Sequence, residues 1–265
     1  IFCSAHAKTP LETLYLETGC VPIRFILKSR RLNFLHYILS DKEDSLLSNV
    51  FRAQCDNPVR GDWVCTVKKD LEELDIDANF EQIKTMTKEI FKRLVKERVN
   101  EKAFEYLKNL QQTHSKSKPL QYEKFCLQEY LKADSKMTTK EKSFTFAART
   151  RMLDLKSNFK AGQKDLNCRL CDNHEESQQM LLRCPALSSD SEPAVTVPYS
   201  DLYSEEKEKV SEIAMVLKNK FEKYQNLQVR GQRNTSTQPG ADSVDDNTSH
   251  VTGDMDWNAY IEIYI

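Results

Sequence analysis

Three cysteines lie close together near residue 170 and have the spacing of metal ligands. Cys168 and Cys171 form a CxxC pair, and Cys184 follows after twelve intervening residues. A CxxC turn directs both sulfurs to one point, and a structural zinc ion takes four such ligands in a tetrahedron. The other five cysteines are scattered among apolar neighbours, as buried thiols in a reducing compartment usually are. The cluster therefore predicts a zinc site for which three ligands are evident.

Two residues are candidates for the fourth ligand. Residues 175–183 have a helical pattern, so the residue four positions before Cys184 would share its face. That residue is Met180, and a thioether is a poor ligand for zinc. His174 lies in the preceding loop and would have to reach back over the CxxC turn. The alternative to a metal site is three thiols without an ion, or a labile disulfide within the CxxC pair.

Three sets of basic residues could contact the phosphates of a nucleic acid. Phosphate contacts need Lys and Arg side chains in a row, and each neutralised phosphate releases counterions. In the first two sets the members lie three or four residues apart, which places them on one helix face. The alternative for each set is an ordinary solvated surface. The sets are Arg24, Lys28 and Arg31; Lys88, Lys92 and Lys96; and Arg149, Arg151, Lys156 and Lys160.

Charge is divided unevenly along the 265 residues, although the net charge is only -1. Residues 1–169 hold 31 Lys and Arg against 23 Asp and Glu, whereas residues 170–265 hold 8 against 17. A basic body followed by an acidic segment is common in proteins that bind nucleic acids. It is equally typical of a solvated helical body with a disordered acidic tail.

Catalytic motifs are missing from the sequence. We find no Ser/His/Asp set, no glycine-rich phosphate loop and no HExxH. A polymerase needs paired aspartates between apolar strands to hold two metal ions. Asp245 and Asp246 lie instead in a tail rich in Thr, Ser, Gly and Asn. We therefore expect the chain not to be an enzyme on its own.

The elements that must position these residues are helices. Only 6 Gly and 8 Pro occur, which argues against an all-β fold with many tight turns. Apolar residues recur at helical spacing through most of the chain, and Thr138 or Thr139 could cap a helix near Glu141. Residues 230–256 have almost no large apolar side chain, so the tail over 228–265 is predicted to be disordered, although its last segment, WNAYIEIYI (257–265), alternates like a strand. Helices are predicted over 10–19, 22–40, 43–54, 62–74, 80–112 (one long helix or two in tandem), 120–132, 138–153 and 204–227.

These segments form a mainly α fold in three parts. Residues 1–135 are predicted to be a multi-helix bundle, and residues 136–227 a helix, a small Cys-rich module and a further helix. The disordered tail follows. No apolar run approaches the roughly 18 residues of a membrane span, so we expect an intracellular protein of the nucleus or cytoplasm. The first residue is Ile1 rather than Met, so further sequence is expected upstream.

Four blocks of the sequence resemble, in order, one region of a known family. They are LYLETGCVPIRFILKSRRLNFLHYIL (14–39), NPVRGDW (57–63), RTRMLDLKSNF (149–159) and CRLCDNHEESQQMLLRC (168–184). This region is the C-terminal part of non-LTR (LINE-type) retrotransposon reverse transcriptase polyproteins. The resemblance implies a thumb-like helical bundle downstream of the polymerase palm, followed by a Cys/His-rich module that helps to hold template RNA and target DNA.

The same resemblance implies a ligand set for the metal. The family's module is CxxC, eight residues, His, three residues and Cys, which maps onto Cys168, Cys171 and Cys184 with Met180 at the histidine position. We therefore expect a truncated or degenerate copy whose role is to hold RNA and DNA beside an upstream reverse transcriptase domain. The alternative is a helical protein–protein interaction scaffold without nucleic-acid activity.

Overall fold

The computed structural model describes residues 8–159, 165–188 and 197–235, with side chains as far as residue 230. Over these ranges it contains nine α-helices and no strand, which confirms the prediction of a mainly helical protein. An isolated β-bridge joins Asn167 and Glu175. The helices are α1 Leu11–Thr18, α2 Ile23–Ser40, α3 Leu46–Asp56, α4 Trp63–Glu73, α5 Phe80–Thr85, α6 Lys88–Thr113, α7 Thr139–Arg149, α8 Gln178–Leu181 and α9 Lys207–Thr235.

Helix ends follow the polar residues that can cap them. The Thr138 hydroxyl accepts a hydrogen bond from the Glu141 backbone N–H, and the Glu141 carboxylate accepts one from the Thr138 N–H at 2.8 Å. This capping box fixes the start of α7 as predicted. The Thr87 hydroxyl accepts a hydrogen bond from the Ile90 N–H at the start of α6, and residues 80–112, predicted as one long helix or two in tandem, form two helices.

Some of the predicted helices and the predicted tail differ from the structure. The helix predicted over 120–132 is wrong, because the only helical turn there is the 3-10 turn Glu129–Leu131. Tyr122 is buried and its hydroxyl donates to the Glu17 carboxylate at 2.7 Å, so a tertiary contact overrides local helix propensity. Helix α9 runs to Thr235, so the tail predicted to be disordered from residue 228 is helical as far as residue 235. The rest of that tail lies outside the described residues.

The chain divides into two compact units. The first unit comprises residues 11–118 and 122–127, and the second comprises residues up to 10, 119–121 and 128 onward. Apolar faces of α2, α4 and α6 form the core of the first unit, and α7, α8 and α9 surround the core of the second. In the part of the chain that the structure describes, no helix combines the length and apolar character needed to cross a membrane.

Gly19 allows the chain to pass close to itself in the first unit. It follows α1 with φ +64°, a left-handed conformation that glycine adopts without strain. A Cβ placed on it would lie 2.5 Å from the carbonyl carbon of Cys126 and 2.6 Å from the amide nitrogen of Leu127. The backbone of residues 126–127 therefore occupies the space that any side chain at position 19 would need.

We expect Gly19→Ala to lower the free energy of unfolding by about 2–4 kcal/mol, because both backbone strain and overpacking oppose the new methyl group. Gly61→Ala is the matched control. Gly61 also has a positive φ, +91°, but nothing lies within 4 Å of the place that a methyl group would take there, so strain alone should lower its stability by about 1 kcal/mol. Urea unfolding of both variants measures the difference, and equal losses would contradict the close-approach argument.

Candidate metal centre and basic surfaces

The three clustered cysteines meet in the second unit. The Sγ atoms of Cys168, Cys171 and Cys184 all lie within 4.8 Å of one another, and those of Cys168 and Cys184 are 4.0 Å apart. An ion with metal–sulfur bonds of about 2.3 Å in a tetrahedral set separates its sulfurs by about 3.8 Å. Two of these thiols are buried and that of Cys171 is half-buried. The cluster could therefore bind a metal ion.

Backbone hydrogen bonds shape the turn that carries the first two thiols. The Cys168 N–H donates to the His174 carbonyl at 2.7 Å, and the Asp172 N–H donates to the Cys168 carbonyl at 2.9 Å. Asp172 adopts φ +54°, which turns the chain back. Hydrogen bonding from the Asn173 backbone lowers the pKa of the Cys171 thiol, whereas burial raises the pKa of Cys184. The turn thus favours a thiolate at Cys171.

In the part of the chain that the structure describes, no His, Asp, Glu or further Cys side chain joins the three thiols. Among the described residues, the group of ligand atoms within 4.8 Å contains only the three sulfurs. His174 is exposed and lies outside this group, although its backbone carbonyl helps to form the turn. Met180 is half-buried in α8, which is much shorter than the helical stretch predicted over 175–183.

Glu176 holds the CxxC turn in place. Its side chain is 1% exposed and accepts two hydrogen bonds from the Arg169 guanidinium, at 2.9 Å from Nε and 2.6 Å from Nη2. The backbone N–H groups of Arg169 and Lys156 donate to the same carboxylate at 3.0 and 2.9 Å, and the Tyr224 hydroxyl of α9 also donates to it. One carboxylate therefore joins the CxxC turn, the segment after α7, and α9.

The ionisation of Glu176 follows from these contacts. Burial raises the pKa of the carboxyl group, but the hydrogen bonds from Arg169, Tyr224 and the Lys156 backbone together outweigh burial, and the pKa lies below the ordinary value of 4.5. A depressed folded-state pKa means that the pair contributes its full stability above that ordinary value. The contribution is lost as the pH falls through the lower pKa of the folded state.

We expect Glu176→Gln to lower the free energy of unfolding by about 3 kcal/mol at pH 7, because it leaves the Arg169 charge without its buried partner. The gap in unfolding free energy between wild type and variant should narrow as the pH falls below 4.5, where the carboxyl group of the unfolded wild-type chain begins to bind a proton that the folded state binds only at lower pH. Glu175→Gln makes the same change at an exposed neighbour and serves as the control in denaturant unfolding. A gap that stays constant from neutral to acid pH would contradict this account.

In the first basic set, the protein's own carboxylates compensate two of the three charges. Arg31 donates to both oxygens of buried Asp70, at 2.6 and 3.0 Å. Lys28 is buried, pairs with Glu73 and lies 3.6 Å from Asp70, and its burial lowers its pKa. Arg24 stacks over the ring of Tyr106 at 4.2 Å. These residues link α2 to α4 and α6, and their contact with nucleic acid stays a prediction.

The second set differs in that its charges face solvent. Lys88, Lys92 and Lys96 are exposed and lie along α6 beside the buried row that includes Phe91 and Val95. Among the residues that the structure describes, no carboxylate lies within 4.0 Å of any of the three ammonium groups. They form a row, here called the lysine row, whose charge the protein does not neutralise at close range.

Arg149, in the third set, is fully buried. Its Nη1 donates to the Leu202 carbonyl at 2.6 Å and to the Ser204 carbonyl at 2.9 Å, and its guanidinium lies 5.4 Å from the centre of the Tyr130 ring. It fastens α7 to the segment that precedes α9. Arg149 would have to leave this position to reach a phosphate.

The other members of the third set are more accessible. Lys156 pairs with exposed Asp165 at 2.7 Å. Arg151 is half-exposed, and its Nε lies 3.5 Å from the Tyr203 hydroxyl. Lys160 lies outside the described residues. The structure therefore separates a set that looked uniform in sequence into a buried anchor, an ion pair and a partly exposed guanidinium.

Sequence reasoning missed the Glu176 carboxylate and its partners Arg169 and Tyr224. A weak signal existed, because Arg169 lies inside the CxxC motif and an acidic residue soon after it could turn back to meet it. Tyr224, by contrast, lies 48 residues after Glu176, in α9, and has no local signature. We compared the chain with known protein families, with curated proteins and with solved structures, and none of them matches it.

Proposed function

We propose that this chain is a non-catalytic, nucleic-acid-holding part of a LINE-type reverse transcriptase, a truncated or degenerate copy that would act beside an upstream polymerase domain. The observation that carries the proposal is the lysine row, the basic set whose members are all exposed and have no carboxylate partner in the described part of the chain. The resemblance of four sequence blocks to that family supports the same function.

The lysine row has the geometry of a phosphate-binding surface. Residues four apart on a helix rise about 6 Å, so the row extends about 12 Å along α6. A rigid helix holds the three charges in a line without ordering a loop. Each contact with a phosphate releases counterions, which makes binding steeply dependent on salt and indifferent to base sequence. The expected partners are therefore RNA and DNA.

Zinc is the metal proposed for the thiol cluster. Cys168, Cys171 and Cys184 would hold it, and its role would be structural, since a bound ion crosslinks the CxxC turn to the end of α8. A water molecule would take the fourth position, because Met180 replaces the family's histidine. In the family the corresponding module helps to hold nucleic acid, so a metal-bound module supports the proposed function.

For the metal, we expect the wild type to bind one zinc ion per chain weakly, and Met180→His to bind it more tightly because an imidazole adds a fourth ligand. Cys184→Ser should abolish binding, whereas Cys20→Ser, at an exposed thiol outside the cluster, should leave it unchanged. Competition with a chromogenic chelator measures the affinities. Tight wild-type binding that His174→Ala abolishes would contradict the water-ligated site.

For the lysine row, we expect Lys88→Gln, Lys92→Gln and Lys96→Gln together to reduce the slope of log K against log salt by about 2–3, since each lost contact removes about 0.7–0.9. Fluorescence anisotropy with labelled RNA and DNA between about 50 and 200 mM salt measures the slope. The substitutions change only exposed side chains, so the melting temperature of the triple variant should equal that of the wild type.

The control makes the same charge change at three lysines of the same unit that already have carboxylate partners. These are Lys69, Lys84 and Lys102, paired with Glu73, Glu43 and Asp75. Their triple glutamine variant should change the slope by less than about one. Equal slopes in the two triple variants would show that net charge, and not the lysine row, determines binding.

A second function, a protein–protein interaction scaffold, is favoured by a different surface. Ile23, Leu27, Phe34 and Tyr37 lie on α2 at helical spacing and are 42–61% exposed. The rings of Phe34 and Tyr37 stack with their centres 6.0 Å apart. An apolar stripe of this kind is typical of a face that receives another helix. If the wild type binds neither RNA nor DNA at low salt, this function replaces the first.

A further inference from the structure

Arg151 occupies a backbone position that normally belongs to glycine. It follows the end of α7 with φ +55°. The Arg151 N–H donates to the Ala148 carbonyl at 3.1 Å and the Met152 N–H to the Ala147 carbonyl at 2.7 Å, the two bonds of a Schellman motif. An arginine in the left-handed conformation is strained by about 1 kcal/mol or more. Strained residues of this kind are concentrated at functional sites, so the contacts of the Arg151 side chain are of functional interest.

A chain of hydrogen bonds ends at the Arg151 side chain. The Gln178 amide donates to the Ala148 carbonyl at 3.0 Å, which leaves its oxygen to accept from the Tyr199 hydroxyl at 2.7 Å. The Tyr199 hydroxyl uses its only proton in this bond. The Tyr203 hydroxyl must therefore donate its proton to the Tyr199 oxygen, at a distance of 2.9 Å. The Tyr203 oxygen in turn accepts from Arg151 Nε at 3.5 Å. Each hydrogen bond from Gln178 to Arg151 therefore has one donor and one acceptor.

This arrangement leaves the outer edge of the guanidinium available. Its four terminal N–H groups take no part in the chain of bonds, and no carboxylate among the described residues forms an ion pair with Arg151. The groups that raise its pKa against the effect of burial are the hydroxyls of Tyr203 and Tyr199. A half-buried positive charge with neutral partners is suited to receive an anion.

Arg151 borders a polar pocket of about 120 Å³. The pocket is several times the roughly 10–15 Å³ that one ordered water needs. Most of its described lining residues carry hydroxyl or amide groups, and the one acid among them, Glu175, is exposed and forms no ion pair with Arg151. The other lining residues that could donate hydrogen bonds are Ser157, Asn158, Ser177 and Gln179.

We propose that this pocket binds one phosphate group of a nucleic-acid backbone, with Arg151 as its main contact and the lining hydroxyl and amide groups as secondary donors. A guanidinium fork binds phosphate through two parallel hydrogen bonds, which a lysine cannot reproduce. The source of the phosphate, RNA or DNA, rests on the proposed function. The proposal that the pocket binds a phosphate group rests on the geometry of the pocket. An experiment can therefore contradict this proposal without contradicting the proposed function, and the reverse.

A glycine substitution at position 151 tests the phosphate site, because glycine adopts the positive φ of this position without strain. Arg151→Gly removes the guanidinium and relieves the strain, so its melting temperature should equal or exceed that of the wild type. Its affinity for labelled single-stranded RNA should fall roughly tenfold, with the salt slope lower by about 0.7. Arg151→Lys should recover only part of the affinity. Arg230→Gln removes an exposed arginine elsewhere in the same unit and should change affinity less than twofold.

Titration with inorganic phosphate, followed by NMR of the arginine Nε–Hε signals, separates the two proposals. A signal that shifts in the wild type and is lost in Arg151→Gly supports the pocket, even if the wild type binds no nucleic acid and the proposed function fails. Unchanged RNA affinity in Arg151→Gly, together with no phosphate-dependent shift, would overturn the pocket. A variant that melts well below the wild type would also overturn it, since Arg151 would then be a structural residue.

Discussion

The buried carboxylate of Glu176 is the interaction on which the second unit depends. A single ionised group in a dry environment needs several donors, and it receives them from the Arg169 guanidinium, two backbone N–H groups and the Tyr224 hydroxyl. These donors belong to segments far apart in sequence. These hydrogen bonds together offset the desolvation of the buried carboxylate. The CxxC turn, the segment after α7 and α9, which supply the donors, are therefore positioned together.

Most of the helices could be predicted from the sequence because their information is local. Apolar spacing predicts the helices of the first unit, and the Thr138–Glu141 pair predicts where α7 begins. The segment after Pro119 could not be predicted, because the burial of Tyr122 depends on a partner more than one hundred residues away. The three thiols could be predicted to meet from spacing alone, whereas the Glu176 network that supports them depends on tertiary contacts.

Charge in the sequence proved a poor guide to charge at the surface. Lys28, Arg31 and Arg149 read as members of basic rows, yet each is held by carboxylates or carbonyl groups inside its unit. Spacing on a helix says which residues share a face but not which face is buried. In α6 the buried row repeats every four residues, and the lysine row runs beside it with the same repeat. Because both rows repeat every four residues, they stay side by side along the helix, and the lysines face solvent over the whole row.

The position of Tyr224 has a consequence for the metal centre. Its ring lies 5.6 Å from the Arg169 guanidinium, and its hydroxyl reaches Glu176, so α9 touches the support of the CxxC turn, and the same ring belongs to the core that includes Cys168 and Cys184. Binding at one end of such a linkage must affect the other by an equal factor. A partner that displaces α9 would therefore loosen a metal held by the thiols, and loss of that metal would release the helix to the same degree.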